Sequence, residues 1–182
     1  MAEKAVKFEN ASPEVVAEME AIITEHEGGL LRYAGRILMD PVAAQDVVQD
    51  AFIRLFRLLN SPRANPSKIA NWLYRVTHNN AVDYIRRESR LRDLHRKSSE
   101  EQTLDDGDAA RRNEDEEKCN IVLEHLGVLK MHEKQVLLLR LQEGKSYREI
   151  AEITRRSEGN VGCILHHAVQ KLSQSLDRAG VI

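Results

Sequence analysis

The stretch from Glu88 to Glu117, "ESRLRDLHRKSSEEQTLDDGDAARRNEDEE", carries almost no apolar side chain and turns from basic to acidic along its length. Such a segment buries too little apolar surface to offset the entropy of ordering it, so no single hydrophobic core can run through it. The chain must therefore fold on either side of it. This predicts two helical domains joined by a flexible charged tether over 91–117, although the "RRNEDEE" end suits a solvated helix equally well. Residues 1–12 read as a disordered tail, 13–90 as the first domain and 118–178 as the second.

An all-α fold follows from the patterning on both sides. Aromatic residues make up 4% of the chain, with 9 Gly and 4 Pro, while hydrophobic residues reach 42%. That composition suits long helices rich in Leu, Ala, Glu and Arg better than a β-sandwich. Ser12-Pro13-Glu14 is a helix start, and the pattern runs to about Met39 with a bend or break expected at Gly28-Gly29. Asp40-Pro41 opens a second helix whose Val47, Val48, Ala51, Phe52, Leu55 and Phe56 recur at helical spacing. Gln45, Asp46, Gln49 and Asp50 occupy its other face. After the loop "LNSPRANPSK" a third helix is expected over about 66–90, with Ile69, Trp72, Leu73, Val76, Ala81, Tyr84 and Ile85 inward. Asn71, Arg75, His78, Asn79 and Arg86 form its polar stripe. Beyond the tether, helices are expected at about 118–129, 132–143, 146–153 and 157–176.

The last two make a helix-turn-helix, "SYREIAEITRRSEGNVGCILHH". Ile150, Ala151 and Ile153 give the first helix an inward face, and the small Ala151 allows close packing. Ser157 is a good cap for the second helix, and Glu158 in its first turn suits the helix dipole. Val161, Leu165, Ala168, Val169 and Leu172 are the expected buried stripe. Asn160, Gly162, Cys163, His166, His167 and Gln170 are expected to face outward. In DNA-binding units of this kind the second helix enters the major groove, yet the same pattern also fits an ordinary helix pair.

The formal net charge is −2, so a general nucleic-acid coat protein is disfavoured and any DNA contact must come from local patches. Two cysteines, Cys119 and Cys163, make no disulfide framework. The N-terminus lacks the apolar core of a signal peptide, and no apolar run reaches the length of a membrane span, so a cytoplasmic protein without membrane insertion is expected. Cys163, His166 and His167 have a spacing compatible with metal ligation, and Cys119, His125 and His132 lie near each other, but neither set makes a recognised zinc pattern. His26-Glu27 and His132-Glu133 lack the second histidine of the metalloprotease motif, and there is no phosphate-binding loop. No catalytic residue, metal or cofactor is expected, and the chain does not read as an enzyme.

Three segments, "AAQDVVQDAFIRLF" (43–56), "IANWLYRVTHNNAVDYIRR" (69–87) and "GKSYREIAEITRRSEGNVGCILHHAVQKL" (144–172), resemble in order and spacing the sigma factors of bacterial RNA polymerase. The resemblance is to the extracytoplasmic-function (ECF) group of the sigma-70 family and covers roughly 20–178. It implies that the first domain, sigma region 2, binds core polymerase and the minus-ten element. The second, region 4, would bind the minus-thirty-five element and the flap of the second-largest subunit. Gln45, Asp46, Gln49, Asp50 and Arg54 match the helix that docks on the basic clamp helices of the largest subunit, although Asp46 and Asp50 also suit a merely solvated face. Asn60, Arg63 and Asn65 fall where family members trap a flipped base. Asn71, Arg75, His78, Asn79, Asn80, Arg86 and Arg87 match the helix facing promoter DNA, with Tyr74 as the stacking residue and Trp72 in the core.

In region 4 the candidates are Arg148, Arg155, Arg156, Ser157, Glu158, Asn160, Cys163, His167 and Lys171. Here the chain departs from the family. Thr154-Arg155 replaces the usual Leu-Gly of the turn. Gly159-Asn160-Val161-Gly162-Cys163-Ile164 replaces Gly-Thr-Val-Lys-Ser-Arg, losing two cationic positions. Phosphate contacts from Arg155 and Arg156 would compensate. The resemblance also implies an anti-sigma partner, expected to clamp the two domains together and hide Gln49 and Asp50. Two other readings are a stand-alone helix-turn-helix regulator, which has no need of the acidic docking face, and a helical signalling scaffold that binds no DNA.

Overall fold

The computed structural model describes residues 12–60, 68–98 and 125–180. Those residues form six α-helices and one short 3-10 turn, with no strand among them. The helices are α1 (Pro13–Leu38), α2 (Pro41–Leu59), α3 (Ile69–Ser98), α4 (Met131–Leu141), α5 (Tyr147–Thr154) and α6 (Glu158–Arg178). The chain divides into two compact units, Met1–Ala81 with Ala151–Arg155 and Val82–Ile150 with Arg156–Ile182.

In the N-terminal helices the boundaries follow from capping chemistry. Ser12 Oγ accepts from the Val15 N–H at 3.4 Å at the head of α1. Asp40 Oδ1 accepts from the Val42 and Ala43 N–H groups at 2.9 and 3.0 Å at the head of α2, satisfying donors that a helix start leaves open. Between them Met39 takes φ 55° as the left-handed cap of α1, and its N–H donates to Gly35 O at 2.8 Å. The expected break at Gly28-Gly29 does not occur: α1 is continuous across it. Met19, Ile22, Leu30, Tyr33, Ala34 and Ile37 form one buried stripe spanning the pair, and its packing outweighs the modest propensity cost of two glycines.

Helix α2 buries Ala43, Ala44, Val47, Val48, Ala51, Phe52, Leu55 and Phe56, with α1 as its main neighbour. Helix α3 joins this core through buried Leu73, Tyr74, Thr77, His78 and Ala81. It also runs to Ser98, so 91–98 is helical where tether was expected. Arg, Glu and Leu are good helix formers, and the Arg86–Asp83 pair at 3.6 Å adds local support. The rest of the expected tether, the tail at 1–11 and the expected helical stretch 118–124 lie outside the described residues.

In the C-terminal helices Leu139, Val136, Ile150, Val161 and Ala168 are all essentially sealed from solvent. Of the helix expected over 118–129, the described residues show His125 as helical, followed by a 3-10 turn at Leu126–Val128. Gly144, at φ +62°, makes the turn between α4 and α5, a conformation glycine adopts without a Cβ penalty. At the head of α5, Ser146 and Glu149 cap reciprocally: Glu149 Oε2 accepts from the Ser146 N–H at 2.8 Å, and Ser146 Oγ accepts from the Glu149 N–H at 3.2 Å. Ser157 Oγ accepts from the Asn160 N–H at 3.2 Å at the head of α6.

Candidate functional site

On α2 the alternation of faces is clean. Gln45, Asp46, Gln49, Asp50 and Arg54 are all exposed, while Val47, Val48, Ala51 and Phe52 between them form the core and Ile53 is half-buried. Beside this face a groove of about 630 Å³ lies between α1 and α2. Its apolar lining includes Met19, Ile23, Leu31, Phe52 and Phe56, and Glu20, Glu27, Gln45 and Gln49 supply its polar edge. Sequence reasoning considered α2 alone and did not find that α1 lines a groove beside its exposed face. The available signal was the width of the apolar pattern: Val16, Ile23 and Leu31 fall outside the stripe that α1 needs for its core.

On α3 the polar stripe read from the sequence splits in two. Asn79, Arg86 and Arg87 are exposed and Arg75 is half-buried. Asn71, Tyr74, His78 and Asn80 are instead buried, with at most 9% of their surface accessible, and these four are withdrawn from the candidate DNA-facing set. For Tyr74, His78 and Asn80 the reason is packing against α1 and α2, while Asn71 Nδ2 donates to Glu152 Oε2 at 2.8 Å. The Tyr74 ring meets Tyr33 edge-to-face at 5.5 Å between centroids. The Tyr33 hydroxyl lies 3.0 Å from His78 Nδ1. Asn80 Nδ2 donates to Val47 O at 3.3 Å. Burial lowers the His78 pKa from 6.5 to about 4, so the ring is neutral and Nδ1 can accept from Tyr33. Trp72, expected in the core, is half-buried, as are Ile69, Val76, Tyr84 and Ile85. At the end of α2, Asn60 is exposed but its amide donates to Phe56 O at 2.9 Å, closing the helix. Arg63 and Asn65 lie outside the described residues.

The helix-turn-helix presents Arg148, Arg155, Arg156, Ser157, Glu158, Asn160, Cys163 and His167 on its surface. The Ser157 hydroxyl is engaged as the α6 cap. Arg155 stands in the turn at φ 55°, in the left-handed region that glycine favours. The buried stripe of α6 is Val161, Ile164, Ala168 and Leu172. Leu165 is only half-buried and Val169 is exposed, so the expected stripe is shifted. Ile164 therefore points into the unit, and an apolar residue there is a packing choice.

Lys171 is also reassigned. Its Nζ donates to Glu133 Oε1 at 2.7 Å, tying α6 to α4 and away from a phosphate role. Burial alone would raise the Glu133 carboxyl. The Lys171 hydrogen bond, the Lys130 N–H and the nearby positive charges outweigh it and hold the pKa below the ordinary carboxylate range. Among the described residues no cluster of three His, Cys, Asp or Glu side chains could hold a metal, and no helix is long and apolar enough to cross a membrane.

The family models "Sigma-70 region 2" and "Sigma-70, region 4" match residues 22–91 and 120–172 respectively. The chain is 28% identical over 177 residues to the ECF RNA polymerase sigma factor SigL of Mycobacterium tuberculosis, covering 96% of this chain and 98% of that protein. It is 26% identical over 156 residues to the RNA polymerase sigma factor SigV of Bacillus subtilis, covering 86% of this chain and 89% of that protein. Among solved structures it is similar in fold to the sigma factor RpoE of Bartonella quintana, solved in complex with the anti-sigma factor NepR. The TM-score is 0.65 at 17% identity, over 88% of this chain and 97% of that one. With both region models matched in order and the likeness to SigL running nearly end to end, the chain belongs to the ECF group of the sigma-70 family of RNA polymerase sigma factors.

Proposed function

We propose that this sigma factor grips core RNA polymerase through the exposed face of α2, opens promoter DNA with α3, and finds the upstream promoter box with α5 and α6. The observation that carries the reading is the α2 face. Gln45, Asp46, Gln49, Asp50 and Arg54 stand together in solvent beside an apolar groove, a costly surface to leave uncovered unless a partner uses it. Acidic groups there complement basic clamp helices and speed the encounter. Asn79, Arg86, Arg87 and Arg75 are the α3 residues for minus-ten DNA, and half-buried Trp72 takes the aromatic role. Each base stacked on such a ring is worth about 1–3 kcal/mol, which offsets part of the cost of melting. Arg148, Arg155, Arg156, Glu158, Asn160 and His167 serve the minus-thirty-five element. The protein works by binding, in the cytoplasm, without a cofactor or a chemical step of its own.

An anti-sigma factor is the second partner we propose. NepR binds the similar RpoE, and the groove between α1 and α2 suits an amphipathic helix with basic flanks facing Glu20 and Glu27. Such a helix would lie over Gln49 and exclude the polymerase. Promoter-dependent run-off transcription with purified core polymerase tests the main reading, using a promoter mapped by transcription start sites after overexpression. Transcripts that depend on both core and this protein are expected. Binding of the same promoter without any transcription would instead favour a stand-alone regulator.

A further inference from the structure

The start of α6 lacks side chains that carry positive charge, and its surroundings offer something else. Tyr147, at the head of α5, is 41% exposed, and its ring carries the Arg140 guanidinium at 5.5 Å from the centroid. Arg140 is held in place by donating to Lys145 O at 3.1 Å. The ring edge points at α6: a Cβ built on Gly162 would lie 3.7 Å from Tyr147 Cε2 and, apart from its chain neighbours and the backbone of its own helix, would meet nothing else within 4 Å. Gly162 has no need of unusual backbone freedom, because it lies in the helix interior and not at positive φ. A longer residue would fit and would favour the helix by up to about 1 kcal/mol. What glycine does there is leave the tyrosine edge uncovered, and the next residue on the helix, Cys163, is exposed.

We propose that Tyr147, Gly162 and Cys163 form an apolar notch that reads a thymine methyl group in the upstream promoter box. This rests on the assignment of α5 and α6 to that box. The C5 methyl of thymine is the one apolar feature in the major groove, and apolar side chains contact it there. A helix stripped of cations at its start gains sequence preference from that contact, while Arg155 and Arg156 supply phosphate attraction. The Arg140 guanidinium fixes the ring before DNA arrives, so little rotamer freedom is lost on binding.

The test uses holoenzyme made with the full chain and a promoter duplex taken from a mapped transcription start. Thymines of the upstream box, on both strands, are replaced one at a time by deoxyuridine, which removes only the methyl. At one position binding is expected to weaken about fourfold, the factor expected from one methyl group left in water. Tyr147→Phe keeps that thymine-to-uracil ratio, whereas Tyr147→Ala and Gly162→Lys bring it to about one. The proposal is overturned by a ratio near one at every thymine with the unaltered protein, by an undiminished ratio in both disruptive variants, or by a box without an A·T pair. Scrambling the whole box separates the two claims. Undiminished binding to the scrambled duplex removes the upstream-box assignment itself, while lost binding with no methyl dependence removes only the notch.

Discussion

Arg155 holds φ 55° in the turn of the helix-turn-helix, where an L-residue with a Cβ costs about 1–2 kcal/mol relative to the right-handed region. Glycine relieves that steric cost, although part of the gain is lost to the greater freedom of glycine in the unfolded chain. Replacing Arg155 by glycine is therefore expected to leave stability unchanged or raise it by up to about 1 kcal/mol, read from denaturant midpoints. The same change removes one of two exposed cations at the head of α6. The salt dependence of promoter binding should become shallower by about one unit in the log–log slope. An unchanged slope would show that Arg155 touches no phosphate, and a loss of stability would show that its side chain packs in the fold. The strain was signalled only through the resemblance: Thr154-Arg155-Arg156-Ser157 names no glycine, and Arg155 stands where the family usually has one.

At the scale of the helix, legibility depends on whether polarity and burial agree. On α2 they do, since every apolar residue at helical spacing is inside and the docking residues are outside, so both the core and the candidate face could be read directly. Within the helix-turn-helix, the cap Ser157 and the small Ala151 marked the elements equally well. On α3 they conflict. Asn71, Thr77, His78 and Asn80 are buried while Ile69, Trp72 and Val76 are only half-buried. A hydrophobicity pattern misplaces His78 and Asn80 because the Tyr33 hydroxyl and Val47 O supply polar partners inside the core. The groove between α1 and α2 left only a partial trace in Val16, Ile23 and Leu31, since it forms only once two helices are set side by side.

The α1–α3 contact also makes a pH-dependent prediction. The imidazole of His78 has a pKa of about 4 in the fold against an ordinary 6.5, so the unfolded chain binds a proton that the folded one does not. Stability is present in full above pH 6.5 and is lost as pH falls from 6.5 toward 4, by about 3 kcal/mol at most from this residue. Denaturation followed across that range should show a His78→Gln variant losing less than the unaltered protein. Equal losses in both would mean that His78 is not the titrating group.

The whole molecule combines a formal charge of −2 with two tasks that ask for opposite charges. Acidic Asp46 and Asp50 on α2 suit a basic polymerase surface, and the arginines of α3 and of the helix-turn-helix suit DNA. Concentrating each sign on its own surface lets a nearly neutral chain bind both partners, at the cost of sensitivity to ionic strength. The most direct test is the rate at which core RNA polymerase associates with the immobilised protein, unaltered and as the Asp46→Arg/Asp50→Arg variant. The reversed charges should slow association about tenfold at low salt, with the gap narrowing as salt is raised. Association at the same rate in both, or no binding of core by the unaltered protein, would contradict the role assigned to α2.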